Sequence, residues 1–160
     1  LALAGVNAIT KDKIAAAKAE KTQKAIAAVL EGATEIKEVP FTDASGLVTK
    51  VYQDAAAGYA VEVAPNGFGG AITMMVGVSV DGKVLGISIV SHTETAGLGA
   101  VADAETPKGI AFRDQFVGTS GSVSVSKDGG DIAAITGATI TSRAICVGVN
   151  AALDCVAGLG

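Results

Sequence analysis

Ile72-Thr73-Met74-Met75-Val76-Gly77-Val78-Ser79-Val80, then Asp81-Gly82-Lys83, then Val84-Leu85-Gly86-Ile87-Ser88-Ile89-Val90 is the stretch on which the fold turns. Two runs rich in strand-forming residues, Ile72 to Val80 and Val84 to Val90, flank a dipeptide that tolerates positive φ. The stretch therefore predicts an antiparallel hairpin closed by a two-residue type I′ turn at Asp81-Gly82. In the first run Ile72, Met74, Val76, Val78 and Val80 alternate with Thr73, Met75, Gly77 and Ser79, giving one consistently apolar face. Met74 and Met75 read as sheet packing, not as ligands.

Working outward, Leu47 to Tyr52 and Tyr59 to Val63 carry the same strand signal upstream. Downstream come a glycine-bearing loop from His92 to Gly99, a short helix near Ile110 to Phe116, and a strand at Val123 to Ser126 before the turn at Gly129-Gly130. At the amino end Thr10 can cap a helix running to about Leu30, with Ile14, Ile26, Val29 and Leu30 on its apolar face and Gly32 ending it. Lys11, Lys18 and Lys21 form a stripe on another face, the mark of a solvated helix surface. At the carboxyl end Ile145, Val149, Ala152 and Val156 recur at helical spacing, with Thr141 or Ser142 as the N-cap. The expected class is α+β: a single domain with a largely antiparallel sheet, an N-terminal helix and a C-terminal helix.

Composition narrows the functions. The 160 residues carry a net charge of -4, with no dense basic patch interleaved with aromatics, which argues against nucleic acid as a partner. Hydrophobic residues make up 49% of the chain, yet no uninterrupted apolar run approaches the ~20 residues of a membrane helix. Leu1 to Gly5 is apolar and lacks a charged leader region; residues 1–9 read either as the trimmed end of a membrane anchor or as a frayed terminus. Cys146 and Cys155 lie about 13 Å apart along one helix, too far to pair, and neither has the close Cys or His companions of a zinc site. No G-x-S-x-G elbow and no G-x-x-x-x-G-K-S/T loop occurs.

Two short blocks carry chemistry. Thr136-Gly137-Ala138-Thr139-Ile140-Thr141-Ser142 crowds hydroxyls and small residues onto the start of the last helix. Free N–H groups and the helix dipole make such a place favourable for an anion by ~0.3–1 kcal/mol. On spacing alone it reads first as a capped helix behind a tight turn. Ser91-His92-Thr93-Glu94-Thr95-Ala96-Gly97-Leu98-Gly99 is the second block, and its lone histidine, at a strand end, reads as structural.

The first block resembles the S/T-G-A-T flavinylation motif of the FMN-binding domain family, found in the G subunit of the Rnf electron-transport complex and the C subunit of the sodium-pumping NADH:quinone reductase. The second is similar to that family's H-x-E-T-P-G-L-G loop. Gly58-Tyr59, Phe68-Gly69-Gly70, the Asp81-Gly82 hairpin and Phe112-Arg113-Asp114-Gln115-Phe116 follow in family order.

The resemblance implies FMN joined through its phosphate to the Thr139 hydroxyl, with Gly137 and Ala138 leaving that hydroxyl accessible and Thr136, Thr141 and Ser142 donating to phosphate oxygens. Glu94 or Thr95 would bond flavin polar atoms or fix the loop, and Gly97, Leu98 and Gly99 would border the ring or ribityl chain. An unaided threonine is a poor nucleophile, so a separate FMN transferase is implied. No metal and no independent catalytic residue is expected; Arg113 and Asp114 read as a helix-surface charge pair. The implied role is an extracytoplasmic electron-transfer subunit working beside other subunits of a membrane complex that couples ferredoxin and NAD chemistry to ion transport. Residues 10–160 would be its FMN-binding domain. The quinone-reductase C subunit is the redox alternative, and a non-redox structural module the alternative of another class. Two departures stand out: Ala96 replaces the loop proline, and Ala133 stands where the family commonly has aspartate, with Asp131 two residues earlier.

Overall fold

A computed structural model describes residues 20–159 of the chain. The sheet is a five-stranded antiparallel meander in the order β1 (Lys37–Val39), β2 (Val48–Asp54), β3 (Gly58–Val63), β4 (Thr73–Val78), β5 (Val84–Ser91). Among the described residues three α-helices accompany it: α1 over residues 20–29, α2 (Pro107–Asp114) and α3 (Thr139–Leu159). The α+β class and the two terminal helices are as the sequence predicts. The expected start of α1 at Thr10, with Ile14, Lys11 and Lys18, and the anchor reading of residues 1–9 lie outside the described residues.

The strand period of two places Met74 and Met75 on opposite faces, and each face has its own helix. Met74, Val76 and Val78 join Val51, Val61, Ile145 and Val149 in the main core under α3. Met75 and Ala60 meet Ile26, Val29 and Leu30 of α1 on the other face. Each such fully buried aliphatic side chain contributes about 1.5–3 kcal/mol of transfer free energy. Gly77, opposite Gly86 in the ladder, lies so close to α1 that a Cβ there would collide with the Val29 backbone oxygen. Ile145, Val149, Ala152 and Val156 are all buried, as their spacing predicts. By length and composition α3 could cross a membrane, but 67% of its most apolar stretch is buried in the domain, where it is the core helix. Cys146 and Cys155 are buried free thiols, and burial pushes Cys146 up to about 11, so it is inert as a thiolate at neutral pH.

Several local expectations give way. The hairpin turn is not type I′: Gly82 has φ +82°, but among the described residues no non-glycine has positive φ. The Gly82 N–H donates to Ser79 O at 3.0 Å and the Ser79 N–H to Lys83 O at 2.7 Å, enclosing a three-residue loop. Asp81 thus keeps an ordinary backbone conformation, glycine alone takes the left-handed one, and β4 ends at Val78, short of Val80. The strand expected at Val123 to Ser126 shrinks to one parallel bridge, Val125 to Ile132, followed by a 3-10 turn at Ser126–Asp128. Asn150 of α3 takes the place of a neighbouring strand, accepting the Val123 N–H at 2.7 Å and donating to its carbonyl at 2.8 Å. The α2 helix begins earlier than Ile110, because Pro107 occupies its first turn and Thr106 caps it by accepting the Gly109 N–H. The short edge strand β1 carried no strand signal.

Candidate functional site

The start of α3 is built differently from its sequence reading. The helix begins at Thr139, and the Ala138 carbonyl accepts the Ser142 N–H at 3.0 Å, so Ala138 is the N-cap. Gly137, at φ +77°, makes the turn into it. Thr141 and Ser142 therefore sit inside the first turn and cap nothing. Thr141 is 2% exposed and donates its hydroxyl to Glu94 Oε1 at 2.6 Å. The Ser142 hydroxyl donates to the Ala138 carbonyl at 2.9 Å and accepts the Ile135 N–H at 3.0 Å. Both hydroxyls brace the turn, while the N–H groups of Thr139, Ile140 and Thr141 have no acceptor within the helix. Thr139 stands first, half-buried, and lines a cleft.

That cleft, of about 350 Å³, joins the two sequence blocks. Thr95, Leu98 and Gly99 line one side, Gly137 to Thr141 another, and Phe68 a third. Its rim is apolar and open: Phe68 is 69% exposed, Ile140 52% and Leu98 43%. Gly97 and Thr136 face instead a neighbouring cleft of about 510 Å³ that also touches Lys108, Gln115 and Ala133 to Ile135. Ser142 is buried behind the turn.

Glu94 lies behind the wall of the first cleft, 8% exposed. It accepts the Phe68 N–H at 2.9 Å and the Gly69 N–H at 2.5 Å besides the Thr141 hydroxyl. Burial pushes its carboxyl up, but the bonds from Thr141, Gly69 and Phe68 and the proximity of His92 together hold it below the ordinary value. It is an ionised carboxylate at neutral pH. His92 supports the same loop: its Nδ1 accepts the Glu94 N–H at 3.1 Å, and its Nε2 lies 3.5 Å from Asp103. Both ring nitrogens are engaged away from Thr139. Burial raises the Asp103 carboxyl, against the lowering effect of His92.

For three residues that the sequence had shown, Phe68, Gln115 and Arg113, it did not give the role the fold assigns. Phe68 was visible as a family match, yet its place as a cleft wall comes only from the tight turn of residues 66–71, where Gly67 N–H donates to Gly70 O at 2.7 Å. An aromatic flanked by glycines was the available signal. Gln115 clamps the segment ahead of the motif, accepting the Ala133 N–H at 2.7 Å and donating to its carbonyl at 3.1 Å. Arg113 is not a surface partner of Asp114: its guanidinium caps the 3-10 turn Gly99–Asp103 by donating to Ala102 O at 2.8 Å and Ala104 O at 3.1 Å, and pairs with Glu105. One turn beyond Thr139, Arg143 holds Asp128 through two bonds of 2.8 Å. Among the described residues no cluster of three His, Cys, Asp or Glu side chains suits a metal ion.

The features of this cleft match what a flavin mononucleotide needs: an open apolar rim for a flat ring, glycines where a chain must pass close, and unpaired N–H groups for a phosphate. The sequence profile of the FMN-binding domain family matches residues 67–154, more than half the chain. The chain is 44% identical over 96 residues, 60% of its length, to the G subunit of the proton-translocating ferredoxin:NAD(+) oxidoreductase complex of Clostridium ljungdahlii, of which that covers 51%. It is 42% identical over 97 residues to the G subunit of the ion-translocating oxidoreductase complex of Vibrio atlanticus, covering 59% of this chain and 46% of that one. The likeness to the G subunit of the Na(+)-translocating ferredoxin:NAD(+) oxidoreductase complex of Acetobacterium woodii, at 30% identity over 176 residues, spans 96% of this chain and 82% of the relative. The chain thus spans about half the length of the first two relatives. With both motif blocks inside the matched region, the chain belongs to the FMN-binding domain family, and its cofactor is FMN.

Proposed function

We propose that this domain carries FMN as a phosphoester on Thr139 and relays electrons as the G subunit of an ion-translocating ferredoxin:NAD oxidoreductase. Its soluble part, residues 10–160, would stand on the extracytoplasmic face of the membrane. The observation that carries this reading is the convergence of Thr95, Leu98 and Gly99 with Gly137 to Thr141 on one cleft, with Thr139 at a helix start. Bound there, the isoalloxazine ring supplies reversible electron storage, while attachment through the phosphate leaves its ring system untouched.

The chain's own residues divide the work. The N–H groups of Thr139 to Thr141 face the phosphate, and Phe68, Leu98 and Ile140 border the ring. Thr141 and Ser142 hold the turn instead of meeting the phosphate directly, since their hydroxyl protons are engaged by Glu94 and Ala138. Among the described residues the Thr139 hydroxyl has no hydrogen bond to a basic side chain, and the sole histidine is engaged by Glu94 and Asp103. A transferase that delivers an activated FMN is therefore part of the reading. Other subunits of the complex are the electron partners.

Intact mass and in-gel fluorescence test it. Chain produced with a matched transferase gains the mass of one FMN less water and fluoresces on a denaturing gel, and Thr139→Ala does neither. Equal fluorescence in Thr139→Ala would sink the acceptor assignment. Chain produced without the transferase folds with little bound flavin; stoichiometric covalent loading from purified chain and FMN alone would refute the need for a partner. Fusion of a reporter active only outside the cytoplasm to the carboxyl end tests the sidedness.

A further inference from the structure

Glu94 is a buried carboxylate for which the attachment chemistry has no use. It lies behind the cleft, whose surface is made by its neighbours Thr95 and Gly99. All three of its partners are donors: Phe68 N–H at 2.9 Å, Gly69 N–H at 2.5 Å and Thr141 O–H at 2.6 Å. One side chain thereby ties the turn at residues 66–71 to the first turn of α3. Thr93 secures the turn from the other side, donating its hydroxyl to the Gly69 carbonyl at 2.8 Å. The packing is close: a Cβ on Gly67 would collide with Glu94, one on Gly69 with the Thr93 carbonyl, and one on Gly99 with both Thr141 and Glu94. From this clamped turn Phe68 projects, the one aromatic on the cleft, with 69% of its surface left to solvent.

We propose that Glu94 is a positioning residue whose three accepted hydrogen bonds hold Phe68 as the aromatic cover of the flavin ring, so that solvent access to the ring is set by a side chain that never touches it. This rests on the reading that FMN occupies the Thr139 cleft. An offset or edge contact with a flat ring suits a phenyl group that otherwise stands in water. The charge form matters as well as the shape. A carboxylate accepts at both oxygens, whereas the isosteric amide presents an NH2 group to one of the three donors and leaves it unpaired. The turn then loses its hold on that side, although the sheet and helices keep their own contacts.

The test uses Glu94→Gln, Phe68→Ala and their combination, in flavin-free chain and in chain loaded by its transferase. In flavin-free Glu94→Gln, amide hydrogen exchange at Phe68 and Gly69 accelerates roughly tenfold or more, as loss of charge-assisted bonds predicts, while the amides of β4 keep the wild-type rate. In loaded chain, iodide quenching of flavin fluorescence rises in Phe68→Ala and in Glu94→Gln, and the combination rises no further than the larger single change, because both act through one ring. Unchanged exchange at Phe68 and Gly69, unchanged quenching in Phe68→Ala, or an additive double effect each overturns the proposal. If Glu94→Gln does not fold, Thr93→Val loosens the same turn from its exposed side and must raise quenching; wild-type quenching there is equally fatal. Absence of flavin from the wild type would remove the site reading itself, and the exchange measurement still decides whether Glu94 holds the turn.

Discussion

The sheet and the cleft are held together by opposite means. In β2 to β5 the backbone is fixed by a ladder that repeats, and both faces are sealed by helices packed through apolar side chains. Around the cleft, strand pairing shrinks to a single bridge, Asn66 to Ala71, and ties between segments are made by side chains. Residues 66–71, 92–99 and 133–138 are fixed by single side chains bonding to another segment's backbone: Glu94 to Phe68 and Gly69, Gln115 to Ala133, Ser142 to Ile135. A periodic region spreads the effect of a change over many equivalent contacts. A region held by single bonds concentrates it, so changes there should alter cofactor handling more than stability.

The largest stability effect is expected at the sheet. Gly77→Val puts a branched side chain against the Val29 backbone, and overpacking of this kind costs about 1–3 kcal/mol or more. A denaturant melt should show a lower midpoint with α1 displaced; an unchanged midpoint would mean that α1 contributes little. Gln115→Ala should reverse the balance. The Ala133 backbone is exposed and can turn to water, so stability falls by only about 1 kcal/mol. Flavin loading should slow markedly, because the segment leading to Thr139 loses its clamp. A large fall in midpoint with normal loading would break the comparison.

Smaller still is a pH effect at the far edge. Backbone N–H groups of Ala57, Glu35, Ala56 and Thr34 hold the Asp54 carboxyl down to about 2, against an ordinary 3.8. A depressed folded value means that its contribution is complete above pH 3.8 and is lost as pH falls from 3.8 towards 2. Asp54→Asn should lower stability at pH 6 and flatten the acid side of the stability curve in that window. Least of all in stability is Ala133→Asp, an exposed change expected to leave the melt alone while speeding flavin transfer by giving a transferase a carboxylate to bind. Rates for wild type, Ala133→Asp and Asp131→Ala separate the cases: a loss only in Asp131→Ala would mean that Asp131 serves instead, and equal rates in all three would remove the role of an upstream acid.

The same contrast explains what could be read beforehand. Strand alternation at Ile72 to Val78 and helical spacing at Ile145 to Val156 are local patterns, and both regions formed as their patterns say. Pairing of Glu94 with Thr141 across 47 residues, or of Gln115 with Ala133 across 18, leaves no period in the sequence. The misplaced helix start has a like cause. Hydroxyl residues favour the N-cap locally, but Gly137 made the turn earlier and buried partners drew Thr141 and Ser142 inward. At Asp81-Gly82 the dipeptide preference was overruled by one added residue in the loop, which let Asp81 avoid positive φ. The family blocks located the cleft; which side chains face it and which stand behind it was a matter of three-dimensional packing.

Thr139 opens the helix whose later turns form the centre of the domain, from Ile145 through Val156. Proteins open piecemeal, and segments that breathe are those with few buried contacts. The first turn of α3 is not such a segment, since Thr141 and Ser142 fasten it to buried partners. Releasing it takes something close to unfolding of the whole domain, so the Ser142 amide, bonded to the Ala138 carbonyl, belongs with the slowest to exchange. A carrier attached there cannot approach its redox neighbours by loosening its own mooring. If FMN is attached as proposed, any travel between donor and acceptor would come from rotation about the phosphoester and ribityl bonds or from the domain swinging as one body.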